Sequence, residues 1–327
     1  MYDIVTFGSA TWDIFMRPKD FQIFKNRKFI TGKGICLDLG SKVDIGDIKF
    51  FSGGGGTNTA ATFSKKGFKV AYCGMIGNDL GGDKIIKELK QLGIETRFII
   101  KTGIKPTNTS VILSVENQDR IILVYRGASE LLRKSDIPFR KLKAKWFYLA
   151  PFSGMLSDFT NEIVNFAHEN KIKVAFNPGN SQLSLSRSLL KEIIGKVDVL
   201  ILNQEEASLL TGISYQKERE IFKNIDKICP GIVIMTEGPK GAVVSDGNHL
   251  YQAKASRIKV TDSTGAGDSF GAGFVSGLII SDGNINFSIQ LGMANAASCL
   301  KKWGAKKGLL EKNEKFEKVK VNKKIIK

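Results

Sequence analysis

Two periods of apolar residues alternate along this chain. Past Trp146, short runs dense in Val, Ile, Leu and Phe predict strands over residues 145–149, 173–176, 197–202 and 232–236. Between them, spacing near 3.6 predicts helices, such as 189–194 and 218–228. Alternation of this kind implies a mainly parallel sheet with helices on both faces and ligand sites at the carboxyl ends of the strands. Nearer the start, residues 1–7 and 69–74 read as strands. A helix through Leu92 follows, with Ile85, Ile86, Leu89 and Leu92 on one face. Period-two runs at 110–115 and 120–125 flank Glu116, Asn117, Gln118 and Asp119, which predicts a hairpin. Residues 14–51 show only short apolar segments between Gly32, Gly34, Gly40 and Gly46, as in hairpin or lid material. Late in the chain a strand-like pattern over 256–260 leads into small residues. Then Phe270, Phe274, Val275, Leu278 and Ile279 recur at helical spacing, and another helix is expected over 291–300.

Composition narrows the class. The chain has 327 residues, 42% hydrophobic and 25% charged, enough for a full core and ordinary for a soluble protein. No apolar run is long enough to span a bilayer, and the first residues lack a leader pattern, so the cytoplasm is the expected compartment. The four cysteines are scattered, which argues against disulfides and zinc. The only histidines are His168, on an amphipathic helix, and His249, in a turn, which leaves little room for His-based catalysis. The net charge of +17 is spread along the chain and is densest over 312–327, where a solvated or frayed tail is expected. That suits an enzyme handling anionic nucleotides better than a nucleic-acid binder. A Walker-type loop is absent. Gly265 and Gly267 are followed by Gly271, one residue too far for a dinucleotide fingerprint, which disfavours an oxidoreductase.

The candidate chemistry lies between Val260 and Phe274. Gly265, Ala266 and Gly267 form a small-residue turn opening a helix, and such a turn points unpaired N–H groups outward at the positive end of the helix dipole. Asp268 sits just inside. A donor nest beside one carboxylate suits phosphoryl transfer, although a simple helix cap has the same composition. A second glycine-rich stretch, Gly53 to Gly56, precedes Thr57, Asn58 and a helix, and lets a ligand approach bare backbone. Asp13, after the first strand, could accept hydrogen bonds from two vicinal hydroxyls.

The run Asp262, Ser263, Thr264, Gly265, Ala266, Gly267, Asp268 resembles the C-terminal signature of the PfkB (ribokinase-like) sugar and nucleoside kinases, with Ser263 where Thr is usual. Gly53, Gly54, Asn58 and Ala60 resemble the N-terminal signature, with Gly55 where some ribokinases carry Lys. The resemblance implies one α/β kinase domain over residues 1–327. Its fold would be a ribokinase-like three-layer αβα sandwich with a mainly parallel central sheet and a small β-sheet lid from about 14–51 and 98–127. It implies ATP-dependent phosphorylation of a hydroxymethyl group on a sugar, or alternatively on an adenosine-like nucleoside, with a non-catalytic basic nucleotide- or nucleic-acid-binding protein as the rival on the same scaffold.

Carried over residue by residue, Asp268 becomes the general base and the N–H groups of Gly265, Ala266 and Gly267 an anion hole. Asp13, Gly53, Gly54 and Asn58 become acceptor contacts. Arg126 could meet an acidic group on the acceptor or be a solvated strand end. Asn203, Thr236, Gly238, Gly241 and Asn295 fall to ATP. Glu206 falls to Mg²⁺, partly through water, although Asn203 and Glu206 also read as a helix cap. Asp262 and the Thr264 carbonyl match a K⁺ site. A homodimer through the lid is expected as well.

Overall fold

The computed structural model describes residues 1–19, 22–27, 32–37, 39–114, 120–152, 154 and 158–326. In chain order the strands are β1 (Tyr2–Phe7), β2 (Thr11–Pro18), β3 (Gln22–Lys25), β4 (Lys33–Cys36), β5 (Ile45–Gly53), β6 (Val70–Gly77), β7 (Ile99–Thr102) and β8 (Asn108–Ser114). They continue with β9 (Arg120–Tyr125), β10 (Ala144–Leu149), β11 (Lys173–Phe176), β12 (Val199–Asn203), β13 (Ile232–Thr236), β14 (Ala242–Ser245), β15 (His249–Ala253) and β16 (Val321–Ile325).

Ten of these form the central sheet, in the order β16-β15-β14-β13-β12-β11-β10-β1-β6-β7. From β7 to β13 every pairing is parallel, and β14 to β16 close the edge antiparallel. Apolar residues on both faces of each strand account for the near-continuous hydrophobic runs in the sequence. In β10, Trp146 and Tyr148 enter one core and Phe147 and Leu149 the other; in β12, Val199 and Ile201 oppose Leu200 and Leu202 in the same way. The helices Gly55–Lys65, Leu80–Gln91, Ala266–Ile280 and Ile285–Cys299 cover one face. The helices Thr160–Glu169, Arg187–Ile194, Gln204–Thr211 and Glu218–Ile225 cover the other. The expected three-layer sandwich is therefore present.

Helices Ala266–Ile280 and Ile285–Cys299 approach closely because glycines face the contact. A Cβ on Gly277 would stand 2.5 Å from the Cα of Ser288, and one on Gly273 would stand 3.1 Å from the Cα of Gly292. Asp79 caps the helix Leu80–Gln91, with its Oδ1 accepting from the Gly82 N–H at 2.8 Å. Its Oδ2 accepts from the Thr107 N–H at 2.6 Å, which also ties the helix to the approach of β8.

The lid is a four-stranded sheet in the order β5-β2-β8-β9. Three expectations shift here. The second lid segment begins at Asn108, because residues 99–102 pair with β6 at the edge of the central sheet. Asp13 stands within β2, in the lid itself, rather than in a loop after β1. Residues 256–260 find no ladder partner and run as irregular backbone. The tail differs too: residues 321–325 form β16, so that stretch is pinned to the sheet by pairing with β15. The predicted turn at residues 116–119 lies outside the described residues.

Candidate active site

Asp268 lies in the first turn of the helix Ala266–Ile280, whose N-cap, Gly265, adopts a left-handed φ of 74°. A Cβ on Gly265 would come 2.3 Å from the Ala305 Cβ, so both the conformation and the space require glycine. The first helical bond of this turn runs from the Ser269 N–H to the Gly265 carbonyl at 2.8 Å. The N–H groups of Gly267 and Asp268 precede it, and the Ala266 N–H reaches the Ser263 carbonyl only at 3.5 Å. A Cβ on Gly267 would meet nothing within 4 Å, so this turn faces open space.

The Asp268 carboxylate is held from the other glycine-rich segment. The Asn58 Nδ2 donates to its Oδ2 at 2.8 Å, while the Asn58 Oδ1 is buried and has no hydrogen-bond partner. An oriented carboxylate thus stands beside an unused buried acceptor, as a hydroxylic ligand would need. Asp268 is half-buried overall, but its carboxyl group is enclosed. That burial pushes it above the usual carboxylate range, while the Asn58 hydrogen bond and the charge of Lys306 pull it back.

Asp13 is also buried. Burial raises its carboxyl to about 6, opposed by a hydrogen bond with Ser110 and by the Lys306 charge, and assisted by Asp262. The glycines of the 53–56 run leave it room. A Cβ on Gly53 would lie 1.9 Å from the Asp13 Oδ2. Gly54 has a φ of 94°, and its Cβ would stand 2.4 Å from the Ser9 carbonyl. A Cβ on Gly55 would come 3.4 Å from the Asp268 Oδ1. The segment 53–58 thus touches both carboxyls, Gly53 facing Asp13 and Asn58 holding Asp268.

A cavity of about 800 Å³ adjoins the same turn. Ala266 and Gly267 line it together with Thr236, Gly238 and Gly241 of the β13–β14 turn and with Met293, Ala296 and Leu300 of the late helix. The irregular residues 256–258 complete its wall.

Four of the candidate residues fall elsewhere. Asn295 is fully buried. Its Nδ2 donates to the Ser269 carbonyl at 2.8 Å and its Oδ1 accepts from the Leu310 N–H at 3.0 Å. It braces two helices and a loop and does not line the cavity, whereas Met293 and Ala296 of the same helix do. Asn203 and Glu206 form a reciprocal cap on the helix Gln204–Thr211, each backbone N–H donating to the other's side chain at 2.8 Å, and neither lines the cavity. Arg126 is exposed beyond β9, outside the hydrogen-bonded cluster.

Asp262 is buried and accepts from the Thr264 N–H at 2.9 Å, the Thr264 hydroxyl at 2.8 Å and the Gly304 N–H at 3.0 Å. It locks the turn onto the loop after the late helix. The Thr264 carbonyl is met by the Cys299 thiol at 3.8 Å.

Sequence reasoning missed two residues. Arg120, half-buried at the start of β9, donates to the Ser263 hydroxyl and lines the cavity, so the lid touches the anion turn directly. Lys306 is buried where its charge reaches Asp13 and Asp268. It lies in a lysine-rich stretch that reads as surface, and only Gly304 and Ala305 before it hinted at a packed loop.

The sequence matches the profile described as "pfkB family carbohydrate kinase" over residues 27–313. The chain belongs to the pfkB family. It is 28% identical over 277 residues to the ribokinase of Haemophilus influenzae, covering 81% of this chain and 86% of that one. It is 29% identical over 263 residues to the cytidine kinase of Thermococcus kodakarensis, covering 77% and 88%. In fold it is similar to the ribokinase of Arabidopsis thaliana complexed with ribose and ATP, with a TM-score of 0.76, 20% identity and coverage of 95% and 96%. It is likewise similar to the Methanocaldococcus jannaschii nucleoside kinase, with a TM-score of 0.75, 21% identity and 95% coverage of both chains. Membership makes this pfkB protein a phosphotransferase acting on a sugar or nucleoside hydroxyl. Among the described residues, no helix is long and apolar enough to cross a membrane.

Proposed function

We propose that this kinase transfers the γ-phosphoryl group of ATP to a hydroxymethyl group of an uncharged sugar, with Asp268 as general base. The observation that carries this reading is the 2.8 Å bond from Asn58, which fixes the Asp268 carboxylate at the mouth of the anion turn. Asp13 and the free Asn58 Oδ1 accept from acceptor hydroxyls, and Gly53 and Gly54 admit the sugar against the backbone. Asp268 takes the proton of the attacking hydroxyl as its oxygen bonds to phosphorus and the bond to the ADP oxygen breaks. The N–H groups at Gly265 to Asp268 receive the charge of the transferred group. The nucleotide occupies the cavity lined by Thr236, Gly238 and Gly241.

Carboxylates outnumber cations around the acceptor, with Asp13, Glu88 and Asp268 about Lys306, which favours an uncharged acceptor over a sugar phosphate. Mg²⁺ fits a site with few protein carboxylates, because it keeps waters and binds phosphate oxygens. Among the described residues no cluster of three acidic, His or Cys side chains competes for a metal, and the cap at Asn203 uses one oxygen of Glu206. Glu206 would hold the ion through water, and the ion would neutralise phosphate charge. Asp262 and the Thr264 carbonyl would hold K⁺ behind the anion turn.

The lid supplies a partner surface. In register, Ile14 pairs with Phe50 and Val111, and Val111 with Leu123, so these share one face. Phe50 is 52% exposed and Leu123 55%. A second copy would cover that face.

The deciding experiment measures ATP consumption with ribose, fructose, an acid sugar, a sugar phosphate, cytidine and adenosine. Turnover on an uncharged sugar supports the proposal. Preference for a nucleoside moves the protein to the alternative acceptor, and no turnover on any of them removes the catalytic reading.

A further inference from the structure

Lys306 is only 4% exposed, which is rare for lysine. Its neighbour Ala305 packs against Gly265 of the anion turn, and Gly304 packs under Phe51 of β5, where a Cβ would come within 2.8 Å of the ring. Lys306 is thus fixed between turn and lid. Its Nζ donates to the Ser52 hydroxyl at the end of β5 and stands 3.8 Å from the Glu88 carboxylate. Ser52 in turn donates to Glu88. A buried ammonium in contact with a single carboxylate would be a local ion pair, but its charge also acts on Asp13 and Asp268. The mechanism above uses both of those and leaves Lys306 without a role.

We propose that the Lys306 ammonium is the built-in counter-cation of the acceptor site, a positioning residue that keeps Asp268 and Asp13 as carboxylates so that one can take a proton and the other can hold hydroxyls. The proposal rests on the assignment of Asp268 as base. The other titratable groups facing this cluster do not supply the cation. Tyr148 and Cys299 beside Asp268 are both held neutral by burial, and Asp262 near Asp13 is an acid. Burial lowers the Lys306 amine to about 8, which still leaves it largely charged at neutral pH.

The experiment compares pH–rate profiles of kcat/KM for wild type, Lys306→Met, Lys306→Arg and Glu88→Gln on the best substrate. Loss of the cation in Lys306→Met moves the acid limb upward by about one pH unit, the lower end of the shift a neighbouring charge produces. Activity then falls about tenfold relative to wild type near the limb and recovers on going to pH 8.5. Lys306→Arg keeps the wild-type limb. Glu88→Gln removes the carboxylate that helps keep the Lys306 amine charged, so the limb moves upward in the same sense as in Lys306→Met. A uniform loss at every pH with an unmoved limb in Lys306→Met makes the lysine merely structural and overturns the proposal. If Lys306→Met fails to fold, as judged by circular dichroism and ATP binding, an unmoved or lowered limb in Glu88→Gln overturns it. Wild-type turnover with no base-like limb, or turnover unaffected by Asp268→Asn, defeats the assignment of the base instead, so the two failures are distinct.

Discussion

The two halves of the site are built from different materials. The acceptor half consists of side chains: Asp13, Asn58, Asp268 and Lys306 are enclosed and held by hydrogen bonds or fixed charges, with glycines cut to fit around them. The half proposed for the nucleotide is a largely apolar and backbone wall around an open cavity, lined also by two cations, Arg120 from the lid and Arg257 from the irregular stretch before the anion turn. A change on the acceptor side therefore removes an interaction that nothing replaces. A change on the side proposed for the nucleotide trims one wall while the backbone N–H groups of the anion turn remain, and only a proline would delete those.

The largest test of that contrast is Asp268→Asn. It keeps the shape and loses the base, so kcat should fall by at least about a hundredfold while ATP binding by calorimetry stays within a few-fold. Turnover near wild type would falsify the role of Asp268. Gly53→Ala comes next. Its methyl group would stand 1.9 Å from the Asp13 Oδ2, so either that carboxylate or β5 must move. KM for the sugar should rise about tenfold or more with little change in KM for ATP, on the scale of a misplaced substrate contact.

The pH profile sharpens the same comparison. A base works deprotonated, and burial lifts both Asp268 and Asp13, the latter to about 6. Activity should therefore be lost on acidification above the ordinary carboxylate range, with the Asp13 carboxylate lost near pH 6 and Asp268 shifted in the same direction. For stability the sign reverses. A carboxyl whose folded value is raised favours the protonated fold, so the destabilisation Asp13 contributes at neutral pH is relieved as pH falls through 6 toward its unfolded value, and Asp268 acts in the same direction. Thermal melting of Asp13→Asn against wild type from pH 7.5 to 5 reads this directly, and the gap in melting temperature should shrink toward pH 5.

How much of this was legible in the sequence follows from the same physics. The central sheet was readable because parallel strands buried on both faces leave apolar runs, and the anion turn because a left-handed cap in a crowded place demands Gly265. Long-range effects were not readable. Asp13 shows its lid position only through pairing with β5 and β8. Residues 256–260 carry a strand pattern but find no neighbouring edge, and four of them wall the cavity. Asn295 looked like a polar residue available to adenine, yet its amide is consumed in bracing two helices and a loop. Lys306 is one lysine among many in sequence, and only its burial beside Ser52, on the loop whose Gly304 packs against Phe51, sets it apart.

The smallest expected effect is on the nucleotide side. Arg120 donates to the Ser263 hydroxyl from the lid, so Arg120→Ala removes the one side-chain cation lining the cavity from that strand while the anion turn stays intact. A hydrogen bond at a partly open, solvent-screened site contributes on the order of 0.5–1.5 kcal/mol. KM for ATP should therefore rise about three- to tenfold, with kcat for the sugar within about threefold of wild type. Because Ser263 is the other end of the contact, Ser263→Ala should reproduce part of that rise, and the double variant should be less than additive. Full additivity would mean that Arg120 acts on the nucleotide without passing through Ser263, and the lid would then be a direct part of the nucleotide site. A loss in kcat matching that of Asp268→Asn would erase the contrast between the two halves.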